Sequence, residues 1–134
     1  MARKKDSDQL TPLELDLMQV LWETGPATVQ TVQERLAAKR ELAYTTVQTM
    51  LNVLLRKKRV SRSLKGRAYH YRPALSQRQA SRHAVTDLLD RMFDGSAERL
   101  VLNLIEERHL TPERLAKLKR MVGQEKEPEH GKNR

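Results

Sequence analysis

Apolar residues recur three and four positions apart along most of this chain, and the stretches in which they do so are separated by turn residues. Leu13, Leu17, Val20 and Leu21 form one such stripe, and Thr11-Pro12-Leu13-Glu14 before it is a capping box with proline at the first helical position, so a helix is predicted from there to about Glu23. Thr24-Gly25-Pro26 breaks it. Val29, Val32 and Leu36 stripe a second helix over about residues 28–38, with Thr28 as its cap. Val47, Met50, Leu51 and Leu54 stripe a third, Tyr44 to Lys57. The period then changes. Val60 to Leu64 and Ala68 to Arg72 read as two short strands around Lys65-Gly66-Arg67, where Gly66 supplies the positive φ of a tight hairpin. Beyond Pro73 the helical period returns: Ala80, Ala84, Val85, Leu88, Leu89 and Met92 over about residues 76–93, then Ala97, Leu100, Val101, Leu104 and Ile105 after a break at Asp94-Gly95-Ser96. Leu115, Leu118, Met121 and Val122 follow a Thr111-Pro112 start, with Gly123 placed to end that helix.

The positions opposite the third stripe give the pattern a purpose. Thr45, Thr49, Asn52 and Arg56 point away from it, with Gln48 at the edge. A solvated helix face is usually filled with Glu and Lys, whereas short hydroxyl and amide side chains pair with base edges and phosphates. Helix, break, helix, brief turn and polar-faced helix, followed by a hairpin, is the order of a winged helix-turn-helix. In the second strand Tyr69 and Tyr71 share one face and His70 and Arg72 the other, so one face can pack while the other meets solvent or phosphate. Trp22, beside a Leu-rich stripe, is expected to pack.

Charge sharpens this reading. The 134 residues carry a formal net charge of +9, and from Leu42 through Thr86 there is no acidic residue at all. Residues 1–74 hold 14 basic and 7 acidic side chains, whereas residues 75–134 hold 12 and 10. A basic excess concentrated on the hairpin half suits a polyanion. Aromatics are only 4% of the chain, so the core has to rest on aliphatic residues, which favours helices.

The same composition excludes several classes of chemistry. There is no cysteine, hence no disulfide, thiolate metal site or cysteine nucleophile. No glycine-rich phosphate loop or GxSxG motif is present, so no enzyme activity is expected. His83 and Asp87 stand four apart on a predicted helix, a spacing commoner for a surface ion pair than for a metal site. His70, His109 and His130 have no ligand partners at suggestive spacing, and no metal or cofactor is expected. No apolar run approaches a membrane span, and the start lacks the apolar stretch of a signal peptide, so a cytoplasmic protein without a membrane partner is expected.

Tyr44-Thr45-Thr46-Val47-Gln48-Thr49, Lys65-Gly66-Arg67-Ala68-Tyr69-His70-Tyr71-Arg72-Pro73, and Leu10-Thr11-Pro12-Leu13-Glu14 with Trp22 after it together resemble the BlaI/MecI/CopY family of penicillinase repressors, over about residues 8–122. That resemblance implies a homodimeric winged-helix repressor that binds a dyad-symmetric operator, often with TACA-like half-sites, and shuts off β-lactamase or related genes. It also implies inactivation by a sensor-linked protease cutting in the dimerisation region after an Asn. Val101-Leu102-Asn103-Leu104-Ile105 looks like that stretch, with Asn103 and Leu104 flanking the cut, although Leu stands where Phe is usual. Arg59 stands where the family commonly has Gly after the third helix. The copper-responsive branch carries a Cys-rich C-terminal motif that this chain lacks.

The expected fold is therefore mainly α with a small β-hairpin wing: a winged helix-turn-helix domain over residues 10–74 and a helical dimerisation region over 75–122. A flexible arm (1–9) and a disordered tail (123–134) flank them. Three short stripes have little to bury against within one chain, and burial against a second copy is the economical solution. Leu88, Met92, Leu100, Val101, Leu104, Ile105, Leu115 and Leu118 are the candidates for that interface. Thr45, Thr46, Gln48, Thr49 and Asn52 are the candidate base readers. Tyr44, Arg56, Lys58, Arg62, Lys65, Arg67 and Arg72 are the candidate phosphate contacts. The partners are thus double-stranded operator DNA and a second copy of the chain. Two other readings stay open: a winged-helix regulator that senses a ligand, and a winged-helix adaptor that binds protein instead of DNA.

Overall fold

The computed structural model describes residues 9–133, with the side chains of residues 9–124. Helices α1 (Pro12–Thr24), α2 (Val29–Leu36) and α3 (Tyr44–Arg56) precede the antiparallel strands β1 (Val60–Lys65) and β2 (Ala68–Pro73), and helices α4 (Gln77–Met92), α5 (Ala97–Glu106) and α6 (Pro112–Asn133) complete the chain. This is the expected mainly α architecture with a two-stranded wing. The chain forms two compact units, Met1–Val85 and Thr86–Arg134.

In the first unit the caps act as their sequence predicts. Thr11 Oγ1 accepts from the Glu14 backbone N–H at 3.1 Å while Glu14 Oε1 accepts from the Thr11 N–H at 2.9 Å, closing the capping box of α1. Thr28 Oγ1 accepts from the Thr31 N–H at 3.2 Å and starts α2. Leu17, Val20 and Leu21 of α1, Val29, Val32 and Leu36 of α2 and Val47, Leu51 and Leu54 of α3 are buried together, and Leu13 and Met50 lie partly buried at the margin. Met18 joins this core without having been on the expected stripe. Tyr71 and Val60 bring the wing into it.

Two connections fix the wing against the helices. The segment between α1 and α2 pairs with the outer edge of β2: Ala27 N–H donates to the Tyr71 carbonyl at 2.9 Å and Tyr71 N–H to the Ala27 carbonyl at 2.8 Å. Trp22 Nε1 donates to the Leu75 carbonyl at 2.9 Å, so this lone Trp packs, as expected, and also ties the chain just past β2 to α1. At the hairpin tip Lys65 pairs with Ala68, which leaves Gly66 and Arg67 as a two-residue loop with Gly66 at φ 64°. Positive φ at the first central position alone is the pattern of a type II′ turn, whose twist matches the strands it joins.

The turn from α3 into β1 takes its left-handed residue at Lys58 (φ 63°) rather than at Arg59, the position where the resemblance leads to the expectation of a Gly. Arg59 is instead a backbone anchor, its N–H donating to the Leu54 carbonyl and its own carbonyl accepting from the Ala74 and Leu75 N–H groups.

In the second unit α5 is capped by Ser96, which accepts from the Arg99 N–H at 3.1 Å, after left-handed Asp94 and Gly95. Asp87 pairs with Arg91 Nε at 2.8 Å one turn along α4, which corrects the expected His83–Asp87 pair. Arg91 carries its charge on a side chain long enough to fold back along the helix onto the carboxylate. The last helix also differs from expectation. Gly123 does not end it: the backbone stays helical to Asn133, so residues 124–133 are not without regular structure. Glycine within a helix costs about 1 kcal/mol relative to alanine but does not terminate it unless a left-handed φ is adopted, and Gly123 adopts none. Among the described residues, none beyond Leu75 is buried.

Candidate nucleic-acid interface

The α3 stripe buried in the core turns the opposite face outward. Thr45, Thr46, Gln48 and Thr49 are exposed, Asn52 is half-buried beside the wing, and Arg56 is exposed at the last turn. Gln48 and Tyr44 line a shallow groove of about 250 Å³ whose other walls are Thr28 and Gln30 of the α2 start and Arg67 and Tyr69 of the wing. The sequence reading placed Tyr44, Gln48 and Arg67 on this surface but not Thr28 or Gln30. Only the packing of α2 across α3 puts those two beside Tyr44 and Gln48.

Around it the expected cations Lys58, Lys65, Arg67 and Arg72 are exposed on the wing and its approach. Arg72 Nε donates to Ser61 Oγ across the strands at 3.1 Å, which holds that guanidinium on the outer face. Lys57 is turned inward to Glu14 and leaves the surface cations to its neighbours.

Arg62 stands apart from the other cations. Its guanidinium carbon lies 3.9 Å from the centroid of the Tyr69 ring and 5.9 Å from that of Tyr71. Its Nη1 donates to Asn52 Oδ1 at 3.3 Å and to Tyr71 Oη at 3.2 Å, and Tyr71 Oη in turn donates to Asn52 Oδ1 at 3.2 Å. Two residues assigned separately from sequence, one as a base reader and one as a phosphate contact, thus belong to one network. The signal for it was present in the strand register, because a Gly66 hairpin sets Arg62 opposite Tyr71.

The interface candidates of the second unit carry large exposed apolar surface. Leu88, Met92, Val101, Ile105 and Leu118 are exposed, Met92 by 69%, while Leu100, Leu104 and Leu115 are half-buried. Asn103 is exposed and Leu104 half-buried in the middle of α5, with the Asn103 carbonyl accepting from the Glu107 N–H. No group of three or more His, Cys, Asp or Glu side chains able to hold a metal is found among the described residues. Among those residues no helix is long and apolar enough to cross a membrane.

The family model for penicillinase repressors matches residues 10–124, through both compact units. The chain belongs to the penicillinase repressor family. This is a family of transcriptional repressors, not of enzymes. Among its members, the transcriptional regulator BlaI of Mycobacterium tuberculosis (strain CDC 1551 / Oshkosh) is 36% identical over 100 residues, covering 73% of this chain and 72% of the relative. The penicillinase repressor of Bacillus licheniformis is 25% identical over 122 residues, covering 91% of this chain and 95% of that one. A solution structure of the Bacillus licheniformis BlaI monomeric form in complex with the blaP half-operator aligns with a TM-score of 0.47 and 27% identity, over 53% of this chain and 87% of that chain.

Proposed function

We propose that this penicillinase repressor family member is a homodimeric transcriptional repressor that binds a dyad-symmetric operator in front of β-lactamase or related resistance genes. The observation that carries the reading is the outward face of α3, where Thr45, Thr46, Gln48 and Thr49 stand exposed within a stretch free of acidic residues. Such side chains reach base edges when a helix enters the major groove. Tyr44, Arg56, Lys58, Lys65, Arg67 and Arg72 hold the phosphates on either side and supply much of the affinity. The names of the relatives, a transcriptional regulator and a penicillinase repressor, support the same role.

Dimerisation is supported by the second unit, in which none of the described residues is buried and Leu88, Met92, Val101, Leu102, Ile105 and Leu118 are exposed. A second copy is the occupant that a dyad-symmetric operator calls for. Release follows from losing that dimer, because one half-site alone forfeits most of the binding energy. Cleavage between Asn103 and Leu104 would do this; the bond lies within α5, so a protease has to unwind that helix to reach it.

The test is fluorescence anisotropy against the duplex upstream of the protein's own gene and a scrambled duplex at two salt concentrations, with stoichiometry determined. Two chains per site, a preference for the upstream duplex and a log–log salt slope reflecting several phosphates are expected. Thr49→Ala should change base preference, whereas Arg67→Ala should weaken all sequences alike. Equal weak binding to both duplexes, with little salt dependence, refutes the reading.

A further inference from the structure

The outward face of α3 carries one side chain whose hydrogen-bonding polarity is already committed. Asn52 Oδ1 receives both Arg62 Nη1 and the Tyr71 hydroxyl. A guanidinium can only donate, so the amide atom that faces it has to be the carbonyl oxygen and not the nitrogen. That oxygen has two lone pairs, and both are engaged. The arrangement resists a flip of the amide, because turning Nδ2 inward would set a donor against a donor. The guanidinium is itself held from a second direction by the Tyr69 ring, and the Tyr71 ring is locked in the core. What remains for any partner outside is the Asn52 amide nitrogen, with its two N–H groups.

We propose that Arg62 and Tyr71 are positioning residues that make Asn52 a donor-only reader of the major groove, selecting guanine and giving up the adenine contact that an unconstrained asparagine makes best. The proposal rests on the DNA-binding reading above. A free asparagine pairs bidentately with adenine, accepting from the N6 amino group and donating to N7. With Oδ1 occupied, adenine sets its amino group beside a donor. Guanine offers two acceptors, O6 and N7, to the two N–H groups; thymine offers one, O4; cytosine offers only the N4 donor. Guanine is therefore favoured and cytosine is worst. Asn52 lies on the same α3 face as exposed Thr45 and Thr49, which directs it to the groove they read. Arg62 thereby acts on base choice through another side chain, in place of the phosphate contact expected from its charge.

The experiment is selection from a randomised duplex pool by the full chain, read by sequencing, for the wild type, Asn52→Ala, Arg62→Met and Tyr71→Phe, each checked for folding by its thermal melt. The position at which Asn52→Ala flattens the preference marks its base pair. The wild type is expected to enrich guanine there, and Arg62→Met to raise adenine relative to guanine at that position by about tenfold while leaving the others unchanged. Tyr71→Phe removes one donor and keeps the ring, so it should shift the preference the same way by less, and it serves as the test if Arg62→Met does not fold. Adenine or cytosine as the leading base in the wild type overturns the proposal. So does an Asn52→Ala profile that matches the wild type at every position, or a guanine preference that survives in the folded Arg62 and Tyr71 variants. A wild-type pool with no enriched sequence refutes the DNA-binding reading itself, and the proposal with it.

Discussion

Lys57 Nζ donates to Glu14 Oε2 at 2.8 Å, joining the C-cap of α3 to the first turn of α1. The two ends are unequal, since the Glu14 side chain is 2% exposed and that of Lys57 30%. Each charge also sits at the helix end whose dipole favours it. Lys57→Met leaves the carboxylate buried with only the Thr11 N–H, and should cost about 3 kcal/mol. Glu14→Gln keeps an acceptor for the cap and buries no charge, so its cost should be nearer about 1 kcal/mol. Urea denaturation measures both. A Lys57→Met loss smaller than that of Glu14→Gln would show that the pair does not hold α3 in place.

Lys58 occupies left-handed backbone at φ 63° in the turn from α3 to β1. A side chain there costs on the order of 1 kcal/mol that glycine avoids. Lys58→Gly should therefore raise the unfolding free energy by roughly 0.5–1 kcal/mol while weakening DNA binding by the loss of one cation, seen as a salt slope shallower by about 1. A variant that is destabilised instead would mean that the Lys58 side chain makes packing contacts worth more than the strain.

Asp16 joins α1 to the chain following α2. The Arg40 guanidinium, whose Nε donates to Asp16 Oδ2 at 2.6 Å, holds the carboxyl below its ordinary 3.8 against an opposing contribution from desolvation, and Lys39 at 3.4 Å adds to the lowering. The unfolded chain therefore takes up the proton first as pH falls. The contribution to stability is complete above about pH 5 and is lost on acidification through the native value. Urea denaturation of the wild type and Asp16→Asn across a pH series should give a gap that narrows below about pH 4. A gap that stays constant down to pH 3 would rule out the pair as its source.

Ile105 presents an exposed apolar side chain on α5, in a unit without buried residues among those described. Ile105→Glu should convert a dimer to a monomer in sedimentation equilibrium, and should weaken binding to a two-half-site duplex by at least tenfold while a single half-site is bound as before. If the native mass is already that of one chain, the second-copy reading of α4 to α6 fails.

The helices were legible because their stripes are regular and their caps local. Thr11-Pro12-Leu13-Glu14, Thr28 and the Gly66 turn each act within a few residues of themselves, so no tertiary context is needed to read them. The same holds for the polarity of α3, where the buried stripe of Val47, Leu51 and Leu54 alone dictates that Thr45 and Thr49 face outward. Gly123 shows the limit of local signals: it is permitted to end a helix, and nothing in its neighbours decides whether it does.

What only the tertiary structure decided is which long-range partners the polar residues take. Glu14 lies 43 positions from Lys57 and Asn52 lies 19 from Tyr71, and no periodicity links positions that far apart. From sequence Asn52 and Arg62 are two more polar residues on a basic surface. The docking of the wing on α3, with Arg62 on β1 and Tyr71 opposite it on β2, makes them partners and engages both lone pairs of the Asn52 oxygen. Hydrophobic period fixes which face of each element is buried, since burial is non-directional and needs only apolar area on one side. Hydrogen bonds are directional and short, so their pairing, and with it the outward donor face of the Asn52 amide, exists only once the wing has docked on α3.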